Sequence, residues 1–215
     1  MRKEDVVVVR ASMSSMSMSD NKCWQCDEKF EKQHMFCPAC KVIQGTFQTD
    51  HFTRLNLPRK FDIGEKNLEV AYFALQRVLH PDMFINKTDK EKKFSAGHSV
   101  DLNDAYMVLK SPLKRAEYLL KLNAIIVNHD SLDSVRPSAE LLEESLELRE
   151  RLDHLSNKEQ LRELAVGVNE KYLVCIDSIK DNLENGSLMA AAQDTIRLRY
   201  IDKLIEEIKQ KKINN

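Results

Sequence analysis

Apolar residues recur at three- and four-residue spacing through most of this chain, the signature of helices that each bury one face. From Glu65 to Leu79 the stripe is Leu68, Tyr72, Leu75 and Leu79, and from Asp89 to Leu109 it is Phe94, Ala105, Tyr106 and Leu109. Two such faces can pack as a helical hairpin. After a polar stretch, Asn128 to Arg136, closed by Pro137, the pattern resumes. Ser138 is placed to cap a helix carrying Leu141, Leu142, Leu146, Leu148, Leu152 and Leu155. A second helix is expected from near Asn157, with Leu161, Leu164, Val168, Tyr172, Ile176, Ile179 and Leu183. Gly186 is positioned to end it and Ser187 to begin a third, which sets Ile196, Tyr200, Leu204 and Ile208 on one stripe. Three amphipathic helices joined by short turns predict an antiparallel bundle. Five glycines and five prolines in 215 residues fit an all-α chain.

Charge narrows the function. A formal net charge of -1 excludes a nucleic-acid or acidic-membrane binder that works by bulk electrostatics. No apolar run approaches the ~20 residues that a membrane-crossing helix needs. The C-terminal half holds no phosphate loop, no nucleophile elbow and no clustered His or Cys. It reads as a surface that holds a partner.

Between the two N-terminal helices stands His80-Pro81-Asp82. Proline cannot continue a helix and biases its predecessor towards extended backbone, so His80 and Asp82 belong on the connecting loop and face outward. The outer face of the first helix adds Lys66, Gln76 and Arg77, a sparsely cationic side beside the loop. A His and an Asp on one loop could form an acid/base pair, but no pocket or nucleophile accompanies them.

These residues resemble a J-domain, the module that activates DnaK-type seventy-kilodalton heat-shock chaperones. The runs His51-Phe52-Thr53-Arg54-Leu55-Asn56-Leu57-Pro58, Leu75-Gln76-Arg77-Val78-Leu79-His80-Pro81-Asp82 and Leu102-Asn103-Asp104-Ala105-Tyr106 are similar to one branch, the HscB-type co-chaperones of iron-sulfur cluster biogenesis. So is Ser111-Pro112-Leu113-Lys114-Arg115-Ala116-Glu117-Tyr118-Leu119-Leu120. The resemblance implies that His80, Pro81 and Asp82, with Arg77, Gln76 and Lys66, contact the chaperone and stimulate its ATPase. It further implies that the bundle docks the scaffold on which clusters are built, through Leu142, Leu146, Glu147 and Glu150 on its first helix and Tyr200 on its last. Glu143 departs from the family pattern, where a hydrophobic residue is commoner, and is not carried over. The chain is then an adaptor and activator, not itself an enzyme.

Two C-x-x-C pairs, Cys23/Cys26 and Cys37/Cys40, stand ten residues apart. Four thiolates satisfy the tetrahedral preference of a closed structural zinc site, which would also replace the core this segment is too polar to build. Zinc is expected ahead of disulfides, because work beside cluster assembly implies a reducing compartment, and iron is the less favoured occupant. His34 lies between the pairs and reads as a loop residue. Cys175, alone on an apolar helix face, reads as a small buried hydrophobe. The cysteine segment resembles that of animal HscB-like proteins and suggests a eukaryotic chain.

The expected organisation is a disordered or targeting segment over 1-20, the zinc segment over 21-45, a J-domain over 46-122, a linker over 123-137 and the scaffold-binding bundle over 138-212. The family implies the mitochondrial matrix, with a cytosolic pool as the alternative. Arg2, Lys3, Arg10 and several serines favour a transit peptide, whereas Glu4 and Asp5 count against it. The expected partners are a DnaK-type chaperone and the cluster scaffold, with no nucleic acid and no membrane, and a homodimer is left open. Two other readings stand beside this one: a general J-protein that delivers unfolded clients, and a dithiol redox enzyme. The second lacks strand alternation.

Overall fold

The computed structural model describes residues 21-30, 34-127 and 135-214. The expected disordered or targeting segment, 1-20, and residues 128-134 of the expected linker lie outside the described residues. The described residues begin with a two-residue antiparallel pair, β1 (Asn21–Lys22) and β2 (Lys29–Phe30), inside the cysteine segment. Among the described residues seven α-helices follow: α1 (His51–Arg54), α2 (Glu65–Leu79), α3 (Asp89–Lys110), α4 (Pro112–Leu122), α5 (Ala139–His154), α6 (Lys158–Glu184) and α7 (Leu188–Asn214). This is the all-α hairpin and three-helix bundle, with a small cysteine-rich segment in front.

Local chemistry sets the boundaries. Thr88 and Glu91 form a reciprocal capping box at the start of α3, with the Glu91 amide 3.3 Å from the Thr88 hydroxyl and the Thr88 amide 3.0 Å from the Glu91 carboxylate. Ser111 caps α4 just ahead of Pro112, which has no amide to leave unpaired. Ser138 and Asn157 cap α5 and α6 through the amides of Leu141 and Glu159. Gly186, at φ 73°, ends α6 in a Schellman turn: the Ser187 amide reaches Asn182 O at 2.8 Å and the Gly186 amide reaches Leu183 O.

One apolar cluster runs through both groups of helices. Phe52, Leu68, Leu102, Leu109, Ala116 and Leu119 from α1 to α4 join Leu152, Leu161, Val168, Ile179, Leu198 and Leu204 of the bundle. Beside it Leu120 packs with Leu141, Ala191, Ala192 and Ile196, where small alanines let α4 approach α7 closely. Tyr118 turns the other way, stacking on Phe52 and His51 and accepting the His51 amide at 3.0 Å. Two ion pairs cross the same junction, Arg199 to Glu117 at 2.6 Å and Lys180 to Asp62 at 2.9 Å. Within the bundle α6 and α7 pack along their length, while α5 rests more lightly on α7.

Asp50 fixes the entry to α1. Its carboxylate accepts from the Thr53 amide at 3.1 Å and from Arg59 at 2.7 Å. Burial raises its pKa, but Arg59 and Thr53 outweigh burial and hold it at about 2. A folded pKa below the unfolded value contributes stability that is present above about pH 4 and is lost as pH falls through about 2. Urea titrations of wild type should therefore lose about 2 kcal/mol more stability between pH 6 and pH 2 than those of Asp50→Asn. Parallel pH profiles would show that the carboxylate does not carry this term.

Candidate functional site

The loop between α2 and α3 is built around what Pro81 forbids. His80 is extended (φ -58°, ψ 136°), as the residue before a proline must be, and Pro81–Phe84 then forms one 3-10 turn. The Met83 amide bonds His80 O at 2.9 Å, which leaves the Leu79 carbonyl without its helical donor. Two buried hydroxyls of α3 replace that donor: Ser95 at 2.6 Å and Ser99 at 3.3 Å. His80 Nδ1 accepts the Asp82 amide at 3.3 Å and lies 3.5 Å from the Asp82 carboxylate. Both side chains are exposed, at 51% and 78%, and the buried Phe84 ties the turn down.

Lys66 and Arg77 are exposed on α2, Arg77 in the last turn before the exposed loop and Lys66 in the first, about 20 Å along the helix from it. Gln76 is not on the outer face where the sequence reading put it. It lies 40° round the helix from Tyr72, its Nε2 donating to Tyr72 Oη at 2.8 Å and to Asn103 Oδ1 at 3.0 Å. It ties α2 to α3 and is half-buried.

The cysteines come together at the opposite side of the same loop region. Each C-x-x-C closes the same turn: the Cys23 amide bonds Glu28 O and the Asp27 amide bonds Cys23 O, while the Cys37 amide bonds Val42 O and the Lys41 amide bonds Cys37 O. Asp27 and Lys41, at matching positions, both take positive φ, 63° and 61°. Cys23 Sγ lies 3.6 Å from Cys40 Sγ and Cys26 Sγ 3.7 Å from Cys37 Sγ, with all four sulfurs within 4.8 Å of one another. Metal–sulfur bonds of about 2.3 Å in a tetrahedron separate the sulfurs by about 3.8 Å, whereas a disulfide needs about 2.0 Å. The donor set therefore fits one metal ion and not two disulfides. Burial pushes the Cys23 thiol up, but hydrogen bonds from the Cys26 and Gln25 amides and from neighbouring thiols bring it down to about 6. Gln44 Nε2 adds a buried donor to the same sulfur at 3.3 Å. His34 is exposed and stands outside the group.

Several residues that sequence reasoning passed over seat this segment on α3. Trp24 packs edge-on against Phe94, lies under Lys90 Nζ at 4.5 Å and donates to Ile43 O at 2.8 Å. His98, buried, meets Gln44 O at 3.0 Å. A tryptophan inside a C-x-x-C and two serines and a histidine on the buried side of α3 were the available signals.

On the bundle, Leu142 and Leu146 are exposed, at 45% and 58%, and share one stripe of α5 with Glu150, with Glu147 also exposed. Tyr200 is half-buried on α7 with Arg149 over its ring. It helps line a groove of about 530 Å³ between α5, α6 and α7, walled by Leu141, Leu148, Val174 and Leu204 and opened by Gly167. Leu142 and Leu146 lie outside that groove, so the expected patch divides between an exposed leucine stripe and a tyrosine at a cleft.

The family model described as "HSCB C-terminal oligomerisation domain" matches residues 137–209. The mouse iron-sulfur cluster co-chaperone protein HscB is 33% identical over 195 residues, spanning 89% of this chain and 82% of the mouse protein. The human protein of that name is 31% identical over 196 residues, spanning 89% and 83%. The crystal structure of human co-chaperone protein HscB superposes with a TM-score of 0.82 at 30% identity, covering 91% of this chain and all of that one.

Alkylation followed by mass spectrometry separates the two kinds of cysteine. Chelation should make Cys23, Cys26, Cys37 and Cys40 reactive together. Cys175 is buried, bonded to Asp194 O at 3.2 Å and pushed up by burial to about 12. At pH 8 it should react at least about 100-fold more slowly until the protein unfolds. Equal labelling of all five in the folded protein would contradict this arrangement.

Proposed function

This chain belongs to the HscB family of iron-sulfur cluster co-chaperones, and we propose that it acts as an adaptor that loads the cluster-assembly scaffold onto a DnaK-type chaperone and triggers that chaperone's ATPase. The observation that carries the reading is the His80-Pro81-Asp82 turn, pinned by Ser95 and Ser99 yet exposed at its tip. With Nδ1 of His80 accepting the Asp82 amide, Nε2 carries the proton of the neutral ring and is the atom left to donate to a partner. Lys66 and Arg77 extend that contact face along α2, and Gln76 supports it from behind by holding α2 to α3. The ATP chemistry stays in the chaperone, and this chain supplies contacts.

Leu142, Leu146, Glu147, Glu150 and Tyr200 bind the scaffold in this reading. Exposed leucines flanked by carboxylates suit a partner that presents an apolar patch rimmed with basic residues. The four cysteines hold zinc, a closed site whose chemistry when bound is structural, since it leaves no position for water or substrate. The sulfur spacing favours that role over dithiol exchange. The protein works in the mitochondrial matrix, with a cytosolic pool as the alternative site. A general J-protein for unfolded clients is the second reading, and it differs only in having no scaffold.

Steady-state ATPase of a mitochondrial DnaK-type chaperone should rise with this protein, rise further when scaffold is added, and return to baseline with His80→Gln. Stimulation that ignores the scaffold would leave the general J-protein. No stimulation by wild type would remove the adaptor reading. Leu142→Ala and Leu146→Ala should each weaken scaffold binding roughly tenfold by calorimetry, with His80-dependent stimulation in the absence of scaffold unchanged.

A further inference from the structure

The cysteine segment meets the His-Pro-Asp loop through a small apolar cluster whose one fully buried member from that segment is Ile43. Ile43 is 1% exposed and packs in a cluster with Leu79 and Phe84, edged by Met35, Phe36, Leu75 and Phe94. Leu79 immediately precedes His80, and Phe84 follows Asp82 by two residues. Residues on both sides of the tripeptide therefore share one buried cluster with this isoleucine. The His80 amide bonds Gln76 O in the last turn of α2, and the Asp82 and Met83 amides bond His80 Nδ1 and O within the turn. Phe84, which holds the turn against the body of the protein, has Ile43 and Leu79 as its buried partners.

The position of Ile43 is in turn fixed from the metal-ligand side. It is three residues past Cys40 and bridges Phe36, the neighbour of Cys37. The Cys37 amide bonds Val42 O at 2.9 Å, the Gln44 amide bonds Met35 O at 2.8 Å, and Trp24 holds Ile43 O. Gln44 then links two bodies: its amide nitrogen donates to Cys23 Sγ, while its backbone carbonyl meets His98 of α3. The segment's own apolar cluster is Cys23, Cys37 and Val42 with Trp24 and Phe30, too small to hold this register without the metal.

We propose that Ile43 is a positioning residue for the His-Pro-Asp loop, so that occupancy of the four-cysteine site sets how well the loop engages the chaperone. The inference rests on the adaptor reading above. Loss of the metal frees the Val42–Gln44 segment, loosens the packing of Ile43 in its cluster with Leu79 and Phe84, and slackens the turn while the Ser95 and Ser99 bonds still hold Leu79. The bundle is not involved, because no residue of α5 to α7 belongs to either cluster around Ile43 and the cysteines. Metal status then tunes chaperone engagement without altering what the bundle carries.

The experiment uses the full chain as wild type, Ile43→Ala, Ile43→Leu, His80→Gln and chelator-stripped wild type. Hydrogen exchange is read at the Met83 amide and across α5 to α7. Chaperone ATPase is followed against co-chaperone concentration. In Ile43→Ala, Met83 exchange should speed up roughly tenfold and the half-saturating concentration should rise roughly fivefold, with α5 to α7 exchange and scaffold affinity unchanged. Ile43→Leu should restore both, and stripped wild type should match Ile43→Ala. Unchanged Met83 exchange in Ile43→Ala overturns the inference, and so does exchange that quickens equally in the bundle, which marks a merely structural role. The two readings fail separately. If His80→Gln stimulates like wild type, the adaptor reading falls, whereas a silent His80→Gln beside a fully active Ile43→Ala removes only the role of Ile43.

Discussion

The shared apolar cluster from Phe52 to Ile208 is the constraint on which the rest of the molecule depends. Neither group of helices closes its own core. Leu109, Ala116 and Leu119 of the N-terminal group lie in one buried body with Leu198 and Leu204 of the bundle, and the ion pairs Arg199–Glu117 and Lys180–Asp62 fix the rotation about that contact. Burial at about 25 cal/mol per Å² makes such a junction expensive to open. The bundle is therefore held to the loop in a set orientation, which a flexible tether would not provide.

The loop solves a local accounting problem with distant groups. Pro81 ends α2 and the turn after it draws the Met83 amide to His80 O, so the Leu79 carbonyl must be satisfied from elsewhere, and Ser95 and Ser99 of α3 do this from buried positions. A rigid polar display at an exposed tip needs that hidden support, since an unsatisfied buried carbonyl costs about 1–3 kcal/mol. The cysteine segment adds support of another kind: it brings a hydrophobic side chain to the loop from outside the hairpin, held in place by backbone turns that recur at both C-x-x-C pairs.

The helices were legible in the sequence because their determinants are local. The stripe through Leu68 and Leu79, the Ser138 and Asn157 caps and the terminating Gly186 each lie within a few residues of the boundary they define. The four cysteines were legible because metal geometry requires that spacing. Gln76 was misjudged because period alone places it at the edge of the buried face, and only Asn103, on another helix, decides which way it turns. Ile43, Gln44 and His98 left no periodic trace, since each works through a partner 40 or more residues or one fold-back away. The leucine stripe on α5 was readable as apolar, but its exposure depends on how lightly α5 rests on α7.

The Schellman turn at Gly186 makes α6 and α7 two 27-residue rods, each about 40 Å long. The contacts of α4 reach α7 from Ala191 to Arg199, near that turn, so about 20 Å of α7 runs on beyond Arg199 as a lever arm. A tilt of about 5° at the alanine-lined seam moves the far tip by about 2 Å, several times the roughly 0.5 Å range over which a hydrogen bond holds. The angle between the two groups of helices is thus set by the smallest side chains in the junction, and a single added methyl at Ala191 or Ala192 is a change in aim as much as in packing.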